Sequence, residues 1–301
     1  MEKRRAANAG SFYPRYKPDL ITKIESSFRN EEFGPGKLPE SEDKEQRTIL
    51  GGVSPHAGYD YSGCAAAYTY YNLFRERIPD SVIVLGTDHV GYNKVGLMKD
   101  GSWETPLGDL QIDEELATEI LQQSDLIVKD NSAFNGFPFG REHNIEVQLP
   151  FIKYCAQDQD IGLVPIKVGI KRYGDLPKVA KHIAKGINNT PKDIIVVASS
   201  DMTHKKPKNM SNPVDDIKKM KKMDQKVIDS FVEMDPEETF KNAQKTTVCG
   251  AQTIATLILI AKELGATEAK ALKYYTSYDK VSGGSGPCDY SVGYFSGILS
   301  K

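Results

Sequence analysis

The sequence predicts a three-layer α/β/α fold, a single domain over residues 1–301 built on a mostly parallel central sheet. Three observations carry that reading. Apolar, β-branched runs alternate with amphipathic stretches from end to end, as strand–helix–strand units do. The strongest runs are short and apolar throughout, the signature of strands buried on both faces. No internal repeat and no long linker interrupts the alternation, and α/β folds of this length are routinely one domain.

Residues 48–53, 82–85, 161–168 and 194–198 read as the buried strands. Helical periodicity covers 19–28, 64–77, 113–123, 173–187, 215–232 and 251–264. Pro18 and Pro236 stand at helix-start positions, where a missing amide proton costs nothing. Two late segments, 269–278 and 290–299, read as strands that extend the sheet, with the glycine-rich 281–288 (VSGGSGPC) as a loop between them. Residues 31–46 are charged and contain prolines, which marks a surface excursion.

Hydrophobic residues make up 39% and charged residues 27%, with a net charge of −2. This balance fits a soluble globular chain and excludes a disordered one. It provides no overall attraction to nucleic acid or to anionic lipid, so neither is an expected partner. The N-terminal MEKRRAANAGSFYP carries basic residues with no apolar stretch behind them, unlike a signal peptide. The most apolar segment, 254–261, is too short to span a bilayer. Cys64, Cys155, Cys249 and Cys288 show no paired spacing and are expected to be reduced thiols. The expected location is the cytoplasm.

The chemistry gathers just past three predicted strands. Residues 48–53 run into Ser54-Pro55-His56-Ala57-Gly58-Tyr59, 82–85 into Gly86-Thr87-Asp88-His89, and 194–198 into Ser199-Ser200-Asp201-Met202-Thr203-His204. Open α/β sheets place their ligand crevices at such strand ends. A single histidine there can simply cap a backbone carbonyl; the same placement three times points to one shared site. Imidazoles with an anionic partner form transition-metal sites. That partner is to be sought among Asp88, Asp201, Glu142 and a thiolate. Cys249, in Thr246-Thr247-Val248-Cys249-Gly250-Ala251, directly precedes a long apolar helix. A helix N-terminus lowers a thiol pKa into the range of roughly 3.5 to 7.5. The other reading of Cys249 is a small buried apolar residue, and that reading is kept for the remaining cysteines. His143 has Glu146 on the same helix face, placed to orient it. His182, among lysines, reads as solvent-facing. The lysines at 205, 206, 208, 218, 219, 221 and 222 read as a solvated surface or an anion-steering rim.

At these residues the sequence resembles the MEMO family. The motifs run in order over nearly the whole chain: Arg5 to Pro14 (RAANAGSFYP), Pro55-His56-Ala57-Gly58-Tyr59 with Ser62-Gly63, Gly86…His89, Glu142-His143…Glu146…Leu149-Pro150, Ser199-Ser200-Asp201…His204, and Thr247-Val248-Cys249-Gly250. The resemblance implies the fold of class III extradiol ring-cleaving dioxygenases (LigB-like), which hold non-haem Fe(II) with two histidines and a glutamate. In the MEMO family a cysteine takes the glutamate's place. Carried over by motif, His56, His89 and Cys249 are the metal ligands, His204 stands where the dioxygenases have their acid/base histidine, and Asp201 and His143 line the same pocket. Asp88 is a local departure that brings a further carboxylate beside His89. A thiolate makes the site softer, suited to Fe(II) first and to Cu or Zn as well, and catechol cleavage does not follow from the fold.

The leading expectation is a metal-dependent oxidoreductase with a small-molecule or peptide ligand in the metal cleft. The resemblance implies two others: a binding module for anionic or phosphotyrosine-type peptides, and one component of a prokaryotic pathway with AMMECR-type and radical SAM partner proteins. A metal-free thiol hydrolase using Cys249 with His204 and Asp201 ranks last, because it leaves His56 and His89 without a role.

Overall fold

The computed structural model describes residues 2–135 and 142–301. Its strands are β1 (Lys3–Arg4), β2 (Ile49–Ser54), β3 (Ser81–Gly86), β4 (Val95–Leu97), β5 (Ser102–Trp103), β6 (Leu110–Ile112), β7 (Ile127–Lys129), β8 (Gly162–Val168), β9 (Ile194–Ser199), β10 (His204–Lys205), β11 (Glu268–Thr276) and β12 (Ser291–Ser300). Its helices are α1 (Lys17–Arg29), α2 (Tyr59–Arg75), α3 (Glu114–Gln122), α4 (Ser132–Asn135), α5 (Leu149–Cys155), α6 (Leu176–Asn188), α7 (Val214–Val232), α8 (Pro236–Gln244), α9 (Ala251–Glu263) and α10 (Ser277–Ser282).

One sheet runs in the order β1-β5-β6-β8-β3-β9-β2-β12-β10, with β11 alongside β12 and β4 alongside β8. The middle four strands, β8, β3, β9 and β2, are parallel. The two late strands do extend the sheet, and both join antiparallel. Every residue of β2, β3 and β9 is buried, so helices must cover both faces. Two consecutive glycines in β2 show how closely. A Cβ on Gly51 would lie 2.8 Å from Leu257 of α9, and one on Gly52 would lie 3.0 Å from Thr69 of α2. Neighbouring residues of a strand point to opposite faces, so α2 and α9 sandwich β2. On the α2 side α1 and α5 join the layer, and Tyr70 stacks on Phe151 at 5.3 Å. Fully burying a large apolar side chain contributes roughly 1.5–3 kcal/mol, and this layer buries Phe28, Phe74 and Phe151 as well.

Several boundaries differ from the sequence reading. Helix α2 starts at Tyr59, five residues before the predicted 64, with Gly58 as its N-cap. Gly63 argues against helix on propensity, yet a Cβ there would lie 2.7 Å from Ser27 Oγ; close packing against α1 requires the glycine. Strand β11 ends at Thr276 instead of running to 278. The Thr276 side chain accepts the Asp279 amide while the Asp279 carboxylate accepts the Thr276 amide, and this capping box opens α10 inside the supposed strand and loop. The short helices α4, α5 and α10 were not expected, and of α8 only the Pro236 start was. Among the described residues no helix is long and apolar enough to cross a membrane.

Candidate metal centre

Strands β3, β9 and β2 are adjacent and parallel, so their C-terminal ends share one edge of the sheet. The segments carrying His89, Asp201 and His56 leave from that edge. A fourth segment arrives from the helical layer. A Cβ on Gly250 would lie 2.5 Å from Ser200 Cβ, so glycine lets the turn before α9 press Cys249 against the β9 end.

The ligand-type atoms of His56, His89 and Cys249 all lie within 4.8 Å of one another. His56 is buried, and its ring is fixed from behind, with Nδ1 2.9 Å from Ser199 Oγ. Its Nε2 stands 3.2 Å from Cys249 Sγ. The ring of His89 is fixed the same way, with Nδ1 2.8 Å from Glu142 Oε1 while its amide donates to Oε2 at 3.0 Å. The sulfur accepts from the Asp201 amide at 3.2 Å. Both imidazoles therefore have one nitrogen anchored by the protein and the other available.

Burial, then the neighbouring His143, His89 and His204, push the His56 pKa well below its ordinary value, so the ring is a neutral donor near pH 7. Burial and the Asp201 charge push the Cys249 thiol up. This corrects the expectation of a thiol acidified by a helix N-terminus: Cys249 lies before the N-cap Gly250, and desolvation outweighs the helix. Burial alone accounts for the rise of Asp201 to about 7, against the amides of His56 and Ala57 that hold it down. Glu142 is buried too, but its hydrogen bonds and proximity to His89, then Lys167, hold it down at about 2.

The remaining predicted residues fall around this cluster. His143 lies flat against His89, ring centroids 5.1 Å apart, and stacks on Phe12 at 4.6 Å on its other side. Burial and His89 lower it to about 4. With His89 and Glu142 it forms a second group close enough to hold an ion. Glu146 does not orient it. That carboxylate is fully buried and takes Arg4 Nη1 at 2.6 Å, the Asn8 amide at 2.7 Å and the Tyr13 hydroxyl at 2.8 Å, tying the N-terminal motif to the site. Arg141, which precedes the Glu142 motif, lies outside the described residues. His204 has Nδ1 2.9 Å from the Tyr290 hydroxyl and a buried Nε2 with no hydrogen-bond partner among the described residues.

Asp88 does not add a carboxylate to the cluster. Its oxygens accept the amides of Val90 and Asn93 at 3.1 and 3.0 Å and lie 4.0 Å from Lys167 Nζ. Lys167 is fully buried behind Glu142, 3.6 Å from Oε2. His182 is half-buried, with Nδ1 2.8 Å from Ser124 Oγ. Two of the lysines at 205–222 are paired, Lys205 with Asp216 and Lys221 with Asp279. Sequence reasoning gave no role to Ser199, Tyr290, Phe12 and Lys167. Ser199 and Phe12 carried a signal, since both lie inside motifs quoted above.

Residues 4–298 match the family described as Memo-like protein. The chain is similar to a MEMO1 family protein of Desulfurococcus amylolyticus, 36% identical over 98% of each chain. It is also similar to one of Saccharolobus islandicus, 38% identical over 97% of each. A third, from Methanothermobacter thermautotrophicus, is 36% identical over 92% of this chain and 94% of its own. Among solved structures, an uncharacterized protein of Escherichia coli K12 aligns with 74% of this chain and 86% of its own, at a TM-score of 0.47 and 10% identity. With the family match and the relatives both spanning almost the whole length, the chain belongs to the MEMO family.

Proposed function

We propose that His56, His89 and Cys249 hold a non-haem metal ion, Fe(II) first among the candidates with Cu or Zn as alternatives, in an oxidoreductase-type site. One observation carries the reading: three donor atoms lie within 4.8 Å of one another while the far nitrogens of both imidazoles are anchored by Ser199 and Glu142. Outer partners of this kind fix ring orientation in metal sites. The donor set fits the group, since a thiolate with two imidazoles suits iron, copper(I) or zinc.

A bound iron supplies one-electron redox chemistry and open positions for substrate and an oxygen species. The protein's own residues do the rest. The Asp201 amide donates to the sulfur and stabilises negative charge on it. His204, tethered through Nδ1 to Tyr290, presents a free Nε2 that takes or gives a proton at the cleft. Phe12 and His143 stack beside His89 and wall one side. The imidazole beside Cys249 is His56, not His204, which disfavours the thiol-hydrolase arrangement.

The test is metal content and oxygen consumption with a reductant, on protein purified without oxygen. About one iron per chain is expected, because the two candidate donor groups share His89. His56→Ala and Cys249→Ala should lose both metal and consumption, and His204→Ala should keep the metal. Metal-stripped protein and His56→Ala that behave as wild type in both measurements would sink the reading.

A further inference from the structure

We propose that Cys64 and Lys280 form an oxidative cross-linking site, at which Sγ and Nζ become joined through one bridging oxygen. Cys64 lies on α2 and is buried; Lys280 lies on α10, more than two hundred residues along the chain. Their Nζ and Sγ atoms stand 2.7 Å apart. Ordinary N–H···S contacts in this molecule are longer: 3.2 Å from the Asp201 amide to Cys249, and 3.1 Å from the Trp103 indole to Met98. The separation is too long for a direct S–N bond and too short for relaxed contact. It is the span that a single oxygen atom between the two would occupy.

Nothing else claims the amine. Among the described residues no carboxylate lies in ion-pair range of Lys280 Nζ, and Cys64 is its one hydrogen-bond partner. The nitrogen is packed over the rings of Phe33 and Tyr275, 5.6 Å from each centroid; it reacts as the neutral amine, after its proton has passed to solvent. Helix α10 is itself held by its capping box and by the pair of Lys221 with Asp279, 2.6 Å apart. The reacting atoms are thus positioned before any chemistry, which removes most of the entropic cost of bringing them together. Cys64 is only 3% exposed, so the oxidant must be small, and hydrogen peroxide meets that requirement.

The atoms balance over three steps. One peroxide oxidises the thiol to the sulfenic acid, releasing water. A second oxidises the amine to the hydroxylamine, again releasing water. The two hydroxyls then condense, losing a third water and leaving S–O–NH. Sulfur and nitrogen each give up two electrons, and the two peroxides accept them. The site uses no metal and stands apart from the proposed function of the centre.

The experiment treats the intact chain with hydrogen peroxide in the presence of a chelator, followed by digestion and mass spectrometry. The expected product joins the Cys64 and Lys280 peptides with a mass gain of one oxygen less two hydrogens. It disappears with dithiothreitol and is absent from Cys64→Ser and Lys280→Arg. Should the buried serine prevent folding, the surface-side Lys280→Arg carries the test. Sulfur oxidation with no linked peptide, a link lacking the oxygen, or an undiminished link in Lys280→Arg would each overturn the proposal.

Discussion

Glu142 grips His89 twice, at the ring through Oε1 and at the backbone amide through Oε2, and in doing so fixes which ring nitrogen faces Cys249. Glu142→Gln keeps the shape but removes the charge that orients the ring. Replacing such outer partners weakens metal binding by about 10–100-fold. We predict a loss of that size for Fe(II) or Zn(II), read by competition with a chelator of known affinity. Unchanged affinity would show that Glu142 is only a packing residue.

Gly250 sets the position of the sulfur. The methyl group of Gly250→Ala meets Ser200 Cβ and Thr253 Oγ1, each at 2.5 Å, and the Ser200 Oγ at 2.6 Å. Overpacking of this kind costs about 1–3 kcal/mol. Urea unfolding should show that loss, and metal affinity should fall with it because Cys249 is displaced from His56.

The convergence of the segments carrying His56, His89 and Asp201–His204 was legible because each motif ended an apolar run, and adjacent parallel strands deliver their ends to one edge. Cys249 stood out in the sequence only as a thiol before a helix, and its ligand role came by resemblance; its approach depends on a glycine turn against Ser200, which spacing does not encode. Three readings failed, each because a contact or environment that spacing does not encode prevailed. Glu146 turned from His143 to Arg4, Asp88 turned to its own loop amides, and the Cys249 thiol followed burial instead of its helix. Tyr290 is placed by strand pairing far along the chain from His204 and leaves no trace in sequence.

The Arg4–Glu146 pair is almost wholly buried, and Arg4 also donates to the carbonyls of Phe134 and Glu142. Arg4→Ala leaves a buried carboxylate without its cation. Breaking a buried pair from one side costs about 3–5 kcal/mol. Thermal unfolding of this variant should show a large drop, whereas Arg5→Ala, at an exposed pair with Glu104, should shift it little.

Glu76 supplies a pH dependence. Burial pushes its carboxyl up, but the Thr48 hydroxyl, the amides of Ile49 and Thr48, and then Lys44 outweigh burial and hold it below its ordinary value. A depressed acid contributes stability that is present above its unfolded pKa and lost as pH falls through the folded one. The stability advantage of wild type over Glu76→Gln should therefore be full near neutrality and shrink below about pH 4.5. An advantage that persists unchanged at pH 3, on the order of one unit below that value, would contradict the assignment.

Tyr290 separates positioning from ligation. Its hydroxyl holds Nδ1 of His204, leaving the buried Nε2 without a hydrogen-bond partner among the described residues, and burial with the nearby His89 lowers the pKa of the ring. The neutral ring can then accept a proton near pH 7, whereas a freely rotating one would spend that capacity on solvent. General acid–base groups contribute about 10²–10⁴-fold to rate, so His204→Ala should lose oxygen consumption on that scale with metal content intact. Tyr290→Phe removes only the tether. It should give a smaller loss, with metal content unchanged and the pH profile of the reaction shifted, because the proton on His204 is no longer confined to one nitrogen. A Tyr290→Phe variant with wild-type rate and profile would mean that the hydroxyl merely packs against the ring, and the proton-transfer role of His204 would lose its structural support.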